Sequence, residues 1–500
     1  MLARIHSFIL VGIDPLLCEV ECDVSNSGLQ HTTVTGLPQT GVKESIERIE
    51  RAMVNSGFRP PQHSVVINLA PADVKKEAPS LDLPIAIGLL RATNFIQTER
   101  HKDYVIAGEL ALDGRVRKIK GGLTLALLAK QKGFRGVILP QENALEAAVV
   151  EGVEVYPVSS LAQAVAFLNE LLPLEPYQLD GQPYQASQHA PELDFADVRG
   201  QEAVKRAITL AAAGAHNILM IGPPGTGKSM LAARIPGILP PLSRVESLET
   251  TRIYSALGLL PEGVALMDQR PVRTPHHSAT AQSLVGGGTI PKPGEVSLAH
   301  HGVLFLDELP EFSRYVLEML RQPLESGEVT VARVHSSIKF PARFMLVAAM
   351  NPTQSGHNAS DPSKRNKYLE KISGPLLDRI DIHVEVPAVP YSELTGKRQG
   401  TDSKTMREQV HRARDLQRKR FDNDTTNARM DSKHLKAHAD LSDSCLLLMK
   451  QAMDELGLSA RAYDKVRRVA RTIADLEGAE KINENHLAEA VQYRLLDRKF

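Results

Sequence analysis

The 500-residue sequence contains no tryptophan, and aromatic residues make up only 4% of it. This scarcity argues against stacking of bases on aromatic side chains as a main means of binding nucleic acid. The three cysteines, Cys18, Cys22 and Cys445, are too few and too scattered for a disulfide framework, which fits a reducing compartment. No second pair or histidine cluster accompanies Cys18 and Cys22, so a metal site there is not expected.

Excess charge and long hydrophobic runs are also missing. Lys and Arg total 59, as do Asp and Glu, so the formal net charge is zero. Any polyanion must therefore be met by a local basic surface. The longest apolar runs, around 81–90 and 303–306, fall well short of the ~20 residues that span a bilayer. The N-terminus lacks a signal-peptide cleavage pattern, because Asp14 and Pro15 follow its short apolar stretch. We expect a cytoplasmic protein without a membrane partner.

Changes in composition predict four segments. Residues 1–170 alternate strand-like and helix-like patterns, and residues 171–191 are rich in Pro, Gln, Ser and Tyr without periodicity, as in a linker. Strand–helix alternation returns over 192–388, and 389–500 reads as almost wholly helical. The sequence therefore predicts an α/β core preceded by a separate domain and followed by a helical one.

A glycine-rich loop in the third segment has the spacing of a phosphate-binding loop. It consists of Gly222, Pro223, Pro224, Gly225, Thr226, Gly227, Lys228 and Ser229. The loop follows the apolar run Ile218–Ile221 and precedes a helical pattern from Met230, the strand–loop–helix context that such a loop requires. Backbone N–H groups then point at phosphate oxygens. We expect Lys228 to reach the β- and γ-phosphates of ATP and Ser229 to ligate Mg²⁺.

Polar residues also follow two further apolar strands. Asp307 and Glu308 end the strand that begins at Val303, and Asn351 follows the run Phe344–Ala349. The first carboxylate suits the Mg²⁺ shell, and the second suits a base that orients the attacking water. Asn351 could contact the γ-phosphate or hold that water. The alternatives are a solvated acidic strand end and a simple strand cap.

Two arginines are candidates for the remaining positive charge of such a site. Arg379 lies in SGPLLDRIDIHVEVP, between a predicted helix and a strand, and Arg461 lies early in the amphipathic helix of 458–476. Spacing places neither near a phosphate, and both could be solvated charges.

The succession of GPPGTGKS, LFLDEL, AAMNP, GPLLDRID and SARAYDKVRRVAR resembles the magnesium-chelatase-type branch of the AAA+ ATPases. Over the whole chain the sequence is similar to the YifB/ComM family of competence proteins. The resemblance implies an AAA+ P-loop core with a helical lid. It also implies that Arg379 is the arginine finger offered to the neighbouring subunit's nucleotide and that Arg461 is the sensor-2 arginine. A finger acting in trans implies a ring, which we expect to be a homo-hexamer.

Two insertions of that branch have counterparts here. Residues 273–302 resemble the helix-2 insert, and Val329–Val334 with Ile338–Phe340 resemble the pre-sensor-1 hairpin. In related ring helicases these elements line the pore and grip nucleic acid. The candidate contacts to the DNA backbone, which needs basic groups but no base code, are Lys292, Arg333, Lys339 and Arg343.

Solvated surface charge is the alternative for each of these residues. Residues 397–420 add nine Lys/Arg against three acidic residues, and such a helix is more often an exposed face than a DNA site.

The N-terminal segment resembles the protease domain of Lon. The resemblance rests on residues 65–90 and 107–129 and implies an α+β fold of the ribosomal protein S5 domain 2-like type. Ser80 falls at the position of the nucleophile, but Thr124 stands where that family has its lysine, and Lys120 is four residues earlier. A serine nucleophile needs an amine within reach of its proton. We therefore expect a retained fold without peptidase activity, which serves assembly or substrate contact.

Three functions remain open at this stage. The first is a DNA motor with helicase or branch-migration activity on recombination intermediates in natural transformation, assisted by loader or recombination proteins. The second is a protein-remodelling or metal-chelatase-type ATPase that does not depend on DNA. The third, an ATP-dependent protease, is opposed by Thr124. All three use ATP and Mg²⁺.

Overall fold

The computed structural model describes residues 2–25, 27, 31–36, 40–72, 74, 76, 79–179, 193–288, 291–332, 337–352, 371–391 and 400–494. The chain divides into two compact units. The first unit comprises Met1–Gln185, Ser247–Met267 and Ile290–Lys292, and the second comprises Ala186–Glu246, Asp268–Thr289 and Pro293–Phe500. Among the described residues no helix is both long and apolar enough to cross a membrane.

The first unit contains a four-stranded sheet of order β1-β2-β4-β3, a parallel three-stranded sheet of order β5-β8-β9 and a short antiparallel ladder of β6 with β7. Its strands are β1 (Leu2–Val11), β2 (Asp14–Val24), β3 (Thr32–Thr35), β4 (Val65–Ala70), β5 (Tyr104–Ile106), β6 (Glu109–Leu110), β7 (Val116–Arg117), β8 (Gly136–Pro140) and β9 (Glu154–Val158). Its helices are α1 (Thr40–Asn55), α2 (Asp82–Ala92), α3 (Gly122–Lys132), α4 (Ala144–Ala147) and α5 (Leu161–Leu168).

Burial explains why these elements form. Cys18, Val20 and Cys22 alternate with less buried residues along β2, as expected for a strand with one face in the core. Helix α2 is buried along almost its whole length and packs on β1 and β2. Burial raises the pKa of Cys18 to about 11 and that of Cys22 to about 12, so both remain thiols at neutral pH.

The second unit is built on a parallel sheet of five strands in the order β11-β14-β17-β10-β18. Its strands are β10 (Ile218–Ile221), β11 (Val272–Arg273), β12 (Gly286–Gly287), β13 (Lys292–Pro293), β14 (Val303–Leu306), β15 (Glu328–Ala332), β16 (Ser337–Pro341), β17 (Met345–Met350) and β18 (Ile382–Glu385). The central strands are apolar throughout because both faces are covered. Their carboxyl ends meet at one edge, which brings Gly222, Asp307 and Asn351 together.

Helices surround this sheet and complete the unit. They are α6 (Glu202–Gly214), α7 (Lys228–Arg234), α9 (Ala281–Val285), α10 (Glu295–Leu298), α11 (Arg314–Met319), α12 (Arg321–Ser326), α13 (Gly374–Leu377), α14 (Ser403–Phe421), α15 (Ser432–His438), α16 (Asp443–Leu456), α17 (Ala460–Glu477) and α18 (Glu484–Gln492). Helix α8 (Arg244–Leu257) begins in the second unit and belongs to the first from Ser247 onward. Beyond residue 400 the described chain is helical, as predicted. The basic segment 397–420 becomes helix only from Ser403, and Arg407 and Arg414 of α14 donate to carbonyls of Gly237 and Ala212.

Helix α17 shows how the helical segment beyond residue 400, called the lid below, is stabilised. The Ser459 hydroxyl accepts a hydrogen bond from Ala462 N at 3.2 Å and caps the first turn. Val466, Val469 and Ile473 are buried on one face, and the helix packs on α6, α14 and α18. Its spacing was readable in the sequence because the apolar face repeats at helical period.

Candidate nucleotide site

The phosphate loop lies between β10 and α7, held by its neighbours in the sheet. Gly222 N donates to Met350 O at 3.2 Å. A Cβ on Gly222 would lie 2.2 Å from Val386 O, so only glycine fits this turn. Gly225 and Gly227 have φ of +79° and +85°. The helix then starts at Lys228, which leaves the N-terminal N–H groups of α7 free for an anion.

Lys228 is buried at the centre of the loop. Its Nζ donates to Gly222 O at 2.7 Å, to Pro223 O at 2.9 Å and to Asn351 Oδ1 at 3.1 Å. Desolvation lowers the pKa of Lys228, while the charges of Asp307 and Glu308 oppose that shift. The ammonium and the Asn351 amide therefore face the same space, as a nucleotide γ-phosphate site requires.

Ser229 and Asp307 form a second contact in this space. Ser229 Oγ donates to Asp307 Oδ2 at 2.6 Å, and Asp307 Oδ1 accepts from Glu308 N at 2.9 Å. A hydroxyl and a carboxylate at this separation are hard oxygen ligands that suit Mg²⁺. The residues present therefore fit the ion that the sequence predicted.

Glu308 projects from a strained backbone position. Its φ is +50°, in the left-handed region that non-glycine residues rarely adopt, and its side chain is 54% exposed. His277 Nδ1 lies 3.7 Å from Glu308 Oε2, and the His277 ring packs against the His276 ring with centroids 4.0 Å apart and planes tilted by 35°. Sequence reasoning missed His277, because a histidine inside the long 273–302 segment carries no spacing signal of its own.

Gln201 is a further residue that the sequence did not indicate. Its Nε2 donates to Thr226 O at 2.9 Å and to Pro387 O at 3.1 Å, which ties the phosphate loop to the segment after β18. The side chain thereby supports the loop without facing the nucleotide space.

Arg379 and Arg461 do not join this group. Arg379 Nε donates to Arg321 O at 3.1 Å, Nη1 donates to Pro375 O at 2.7 Å, and Nη2 pairs with Glu325. The positive charge of Arg461 also acts on Glu325 and lowers the pKa of that carboxyl, after the larger effect of Arg379. Among the described residues no hydrogen bond or ion pair links either arginine to the phosphate loop or to the acidic pair.

A buried ion pair joins the Arg379 segment to the lid. Asp381 Oδ1 lies 2.7 Å from Lys465 Nζ, and Asp381 Oδ2 lies 3.3 Å from His216 Nδ1 and from Asn217 N. Burial alone raises the pKa of Asp381, but Lys465 and His216 outweigh it and hold that pKa well below its usual range. Asn217 Nδ2 also donates to Arg379 O at 3.0 Å. These long-range contacts carried no sequence signal.

The two segments predicted as insertions both contain regular secondary structure. The segment 273–302 contains α9, the short strands β12 and β13, and α10, and Lys292 is exposed. The hairpin pairs β15 with β16 in the register Glu328↔Pro341 to Ala332↔Ser337, so its second strand starts earlier than predicted. Arg333 lies outside the described residues.

The two hairpin residues that can be located are both accessible. Lys339 is 69% exposed and pairs with Glu328 at 3.2 Å. Arg343 is exposed and lies two residues before the start of β17.

The Lon-like positions do not form a catalytic dyad among the described residues. Ser80 is half-buried in a 3-10 turn before α2, and Thr124 is buried in α3 with an unpaired hydroxyl. Lys120 is exposed and precedes α3.

Comparison with known proteins gives matches along most of the chain. Family models match residues 20–143 (subunit ChlI of Mg-chelatase), 194–394 (magnesium chelatase, subunit ChlI) and 400–494 (magnesium chelatase, subunit ChlI C-terminal). The competence protein ComM of Haemophilus influenzae is 44% identical over 99% of this chain and 98% of its own length. Protein YifB of Escherichia coli is 42% identical with the same coverage.

A more distant relative is the magnesium-chelatase 38 kDa subunit of Rhodobacter capsulatus, which is 26% identical over 62% of this chain and 88% of its own length. The identity of 42–44% to ComM and YifB extends over nearly the whole chain and establishes the family. The chelatase family models identify the wider group of ATPases to which that family belongs. The chain therefore belongs to the ComM/YifB family of magnesium-chelatase-like AAA+ ATPases.

Proposed function

We propose that this protein is an ATP-driven ring motor that acts on DNA, with helicase or branch-migration activity on recombination intermediates. The observation that carries the proposal is the continuity of β16, Arg343, β17 and Asn351. Three residues separate the end of the hairpin from the strand that ends at Asn351. A change at the γ-phosphate is thus connected to a basic hairpin through one short, buried strand.

The nucleotide chemistry follows from the residues around Lys228. Its ammonium binds the β- and γ-phosphates, and Ser229 with Asp307 holds Mg²⁺. Mg²⁺, when bound, would neutralise charge on the phosphate oxygens. Glu308 orients the attacking water and accepts its proton, and Asn351 holds the γ-phosphate or that water.

The arginines support a ring. Phosphoryl transfer needs positive charge close to the negatively charged phosphoryl group, and Arg379 with Arg461 is the remaining candidate pair. Arg379 pairs with Glu325, and the charge of Arg461 acts on the same carboxylate. Within the described part of the chain, neither arginine has a hydrogen bond or an ion pair with the phosphate loop. We propose that both face the nucleotide of a neighbouring copy, in a homo-hexamer.

Two further observations favour DNA as the substrate. The 44% identical relative is named a competence protein, and DNA uptake and recombination are the processes that define competence. The hairpin also presents Lys339, of which 69% is exposed, and Arg343. Exposed basic groups suit sequence-independent contacts to phosphates.

The first unit has a supporting role in this proposal. We propose that it retains a Lon-like fold without peptidase activity, because Thr124 replaces the lysine and Lys120 is solvent-exposed outside α3. It would then serve subunit assembly or contact with a loader or recombination protein.

ATP hydrolysis with and without forked DNA, over a salt series, tests the proposal. We expect DNA to raise the rate severalfold and the increase to fade with salt, because phosphate contacts release counterions. Glu308→Gln should retain DNA in the presence of ATP without turnover. Lys339→Gln should reduce the stimulation, and Lys433→Gln, an exposed lid lysine of equal charge, should not.

A protein-remodelling or chelatase-type ATPase is the second candidate. The observation in its favour is that all three family models carry the name of a magnesium-chelatase subunit. Against it, the 38 kDa chelatase subunit matches 62% of this chain, so more than a third of the chain lies outside that match. A rate unchanged by DNA, with Glu308→Gln failing to retain DNA, would favour this candidate.

A further inference from the structure

Two arginine side chains meet at the base of the β15–β16 hairpin. Gly327, with φ of +71°, ends α12 and starts the hairpin. A Cβ on Gly327 would lie 2.9 Å from Arg343 Cγ, 3.6 Å from Arg343 Nε and 3.1 Å from Arg429 Nη1. The two guanidinium groups are therefore separated by no more than the sum of the last two distances, which is within reach of one tetrahedral anion.

The charges of this arginine pair are not neutralised by close partners. Among the described residues, neither the Arg343 nor the Arg429 side chain has a hydrogen bond or an ion pair. Desolvation, followed by the positive charge of Arg343, lowers the pKa of Arg429 to about 10. Glu246 opposes that shift, but its carboxylate is already shared by Arg270 at 2.7 Å and His301 at 3.5 Å.

Further positive charge surrounds the pair. Arg414 of α14 donates to Ala212 O from Nε at 3.3 Å and from Nη2 at 3.0 Å. Desolvation, followed by the charge of Arg270, lowers the pKa of Arg414 to about 9, and Arg429 contributes to the same shift. Arg414 and Arg429 therefore remain cationic at neutral pH. An anion between Arg343 and Arg429 would reduce their mutual repulsion.

We infer that Arg343 and Arg429 together bind one phosphate group of the DNA backbone at the base of the hairpin. The inference rests on the proposed function and adds a contact from the lid, since Arg429 ends the 3-10 turn Asn427–Arg429. Two guanidinium forks can satisfy a phosphate without reading a base. The site is separate from the hairpin tip, because it lies at the opposite end of the β15–β16 ladder.

The position of the arginine pair connects binding of a DNA phosphate to the ATPase site. Arg343 lies two residues before the start of β17, which ends beside Asn351, whereas Arg429 belongs to the lid that also carries Arg461. A phosphate held by both arginines would bridge the hairpin and the lid. Any movement of the lid during the ATP cycle would then tighten or release that phosphate.

The test measures binding of labelled single-stranded DNA by fluorescence anisotropy, over a salt series and with ATP present. The protein is the full chain carrying Glu308→Gln, and to it are added Arg343→Gln, Arg429→Gln or both. We expect each single change to weaken binding about tenfold and to reduce the magnitude of the salt slope by about 0.7. The double variant should be scarcely weaker than either single variant, because both arginines hold the same phosphate.

The matched control is Arg412→Gln, an exposed arginine on α14 that removes the same charge. An equal loss of DNA affinity in this control would show that any removed positive charge has the same effect, and it would overturn the inference. Thermal unfolding of each variant checks that the fold is kept, and additive losses in the double variant would assign the arginines to different phosphates.

Two outcomes separate this inference from the proposed function. If the chain without the arginine changes binds no DNA at low salt, the proposed function fails and the inference falls with it. If that chain binds DNA and the arginine changes leave affinity and salt slope intact, the inference alone is wrong. Weaker binding of a fluorescent ATP analogue, with DNA affinity intact, would assign the pair to a nucleotide phosphate and also overturn it.

Discussion

Replacing Lys465 with methionine would remove the cationic partner of a buried carboxylate. Lys465 and Asp381 are 9% and 7% exposed, and their charged atoms lie 2.7 Å apart. Lys465 belongs to α17, and Asp381 directly precedes β18. The substitution therefore perturbs the contact that fixes the lid to the core sheet.

The size of the effect follows from which charge is left behind. After Lys465→Met, Asp381 keeps His216 and Asn217 as partners at 3.3 Å but loses the ammonium group of Lys465. Stranding one member of a buried pair costs about 3–5 kcal/mol, whereas removing both members is often nearly neutral. We expect Asp381→Asn with Lys465→Met to recover all but about 1 kcal/mol. The double variant is then about 2–4 kcal/mol more stable than Lys465→Met alone.

Amide hydrogen exchange along α17 measures this loss locally. Each 1.4 kcal/mol of stability corresponds to about a tenfold change in protection, so Lys465→Met should lower protection by about two to three and a half orders of magnitude. The double variant should lie within about tenfold of the unchanged protein. Equal losses in the single and double variants would refute the idea that the pair itself, rather than packing by Lys465, secures the lid.

The pH dependence gives a second check with a defined sign. The pKa of Asp381 is lowered in the folded chain, so its carboxylate adds stability at pH values above the unfolded pKa of about 4. That stability is lost as the pH falls from there toward the folded pKa. The stability difference between the unchanged protein and Asp381→Asn should therefore shrink in acid, and a constant difference would contradict the assignment.

Four other changes test the nucleotide site and the first unit. Lys228→Ala should abolish binding of a fluorescent ATP analogue, and retained tight affinity would refute the phosphate-loop assignment. Arg379→Ala should keep ATP binding but slow hydrolysis about 10³-fold or more. Mixing it with Lys228→Ala protein should recover part of the rate, and no recovery at any ratio would count against action in trans. His277→Ala should lower kcat about three- to tenfold with little change in KM, because Glu308 loses a neighbour at 3.7 Å; an unchanged kcat would remove His277 from the site. Casein assays with ATP should show no hydrolysis, and hydrolysis that Ser80→Ala abolishes would restore a peptidase.

The sequence predicted the parts of the site that depend only on the order of strands and loops along the chain. Lys228, Ser229, Asp307 and Asn351 each follow a buried strand of a parallel sheet, and the ends of such strands share an edge. The structure accordingly places Lys228 within 3.1 Å of Asn351, and Ser229 within 2.6 Å of Asp307. The predicted bounds of the two hairpin strands were less accurate, since alternation alone does not fix where a strand starts.

The parts that the sequence could not predict depend on contacts between distant segments. Packing of the lid or of short helices brings together three pairs of charged residues: Asp381 with Lys465, Arg343 with Arg429, and Arg379 with Glu325. A charged residue in a helix or loop reads as solvated when its partner is 54 to 86 positions away. Only the fold decides which of these charges is buried, paired or left facing a like charge.

A comparison of interaction energies shows whether Glu325 would hinder Arg379 as the proposed arginine finger. The Glu325 carboxylate is 62% exposed, and an exposed ion pair contributes only about 0–1 kcal/mol. An arginine finger in the proper position accelerates hydrolysis about 10³- to 10⁵-fold, equivalent to about 4–7 kcal/mol. The backbone acceptors Arg321 O and Pro375 O keep the rest of the Arg379 guanidinium oriented. Release from Glu325 therefore costs far less than the gain at a neighbouring nucleotide, so Glu325 orients Arg379 in the single chain without preventing its action in a ring.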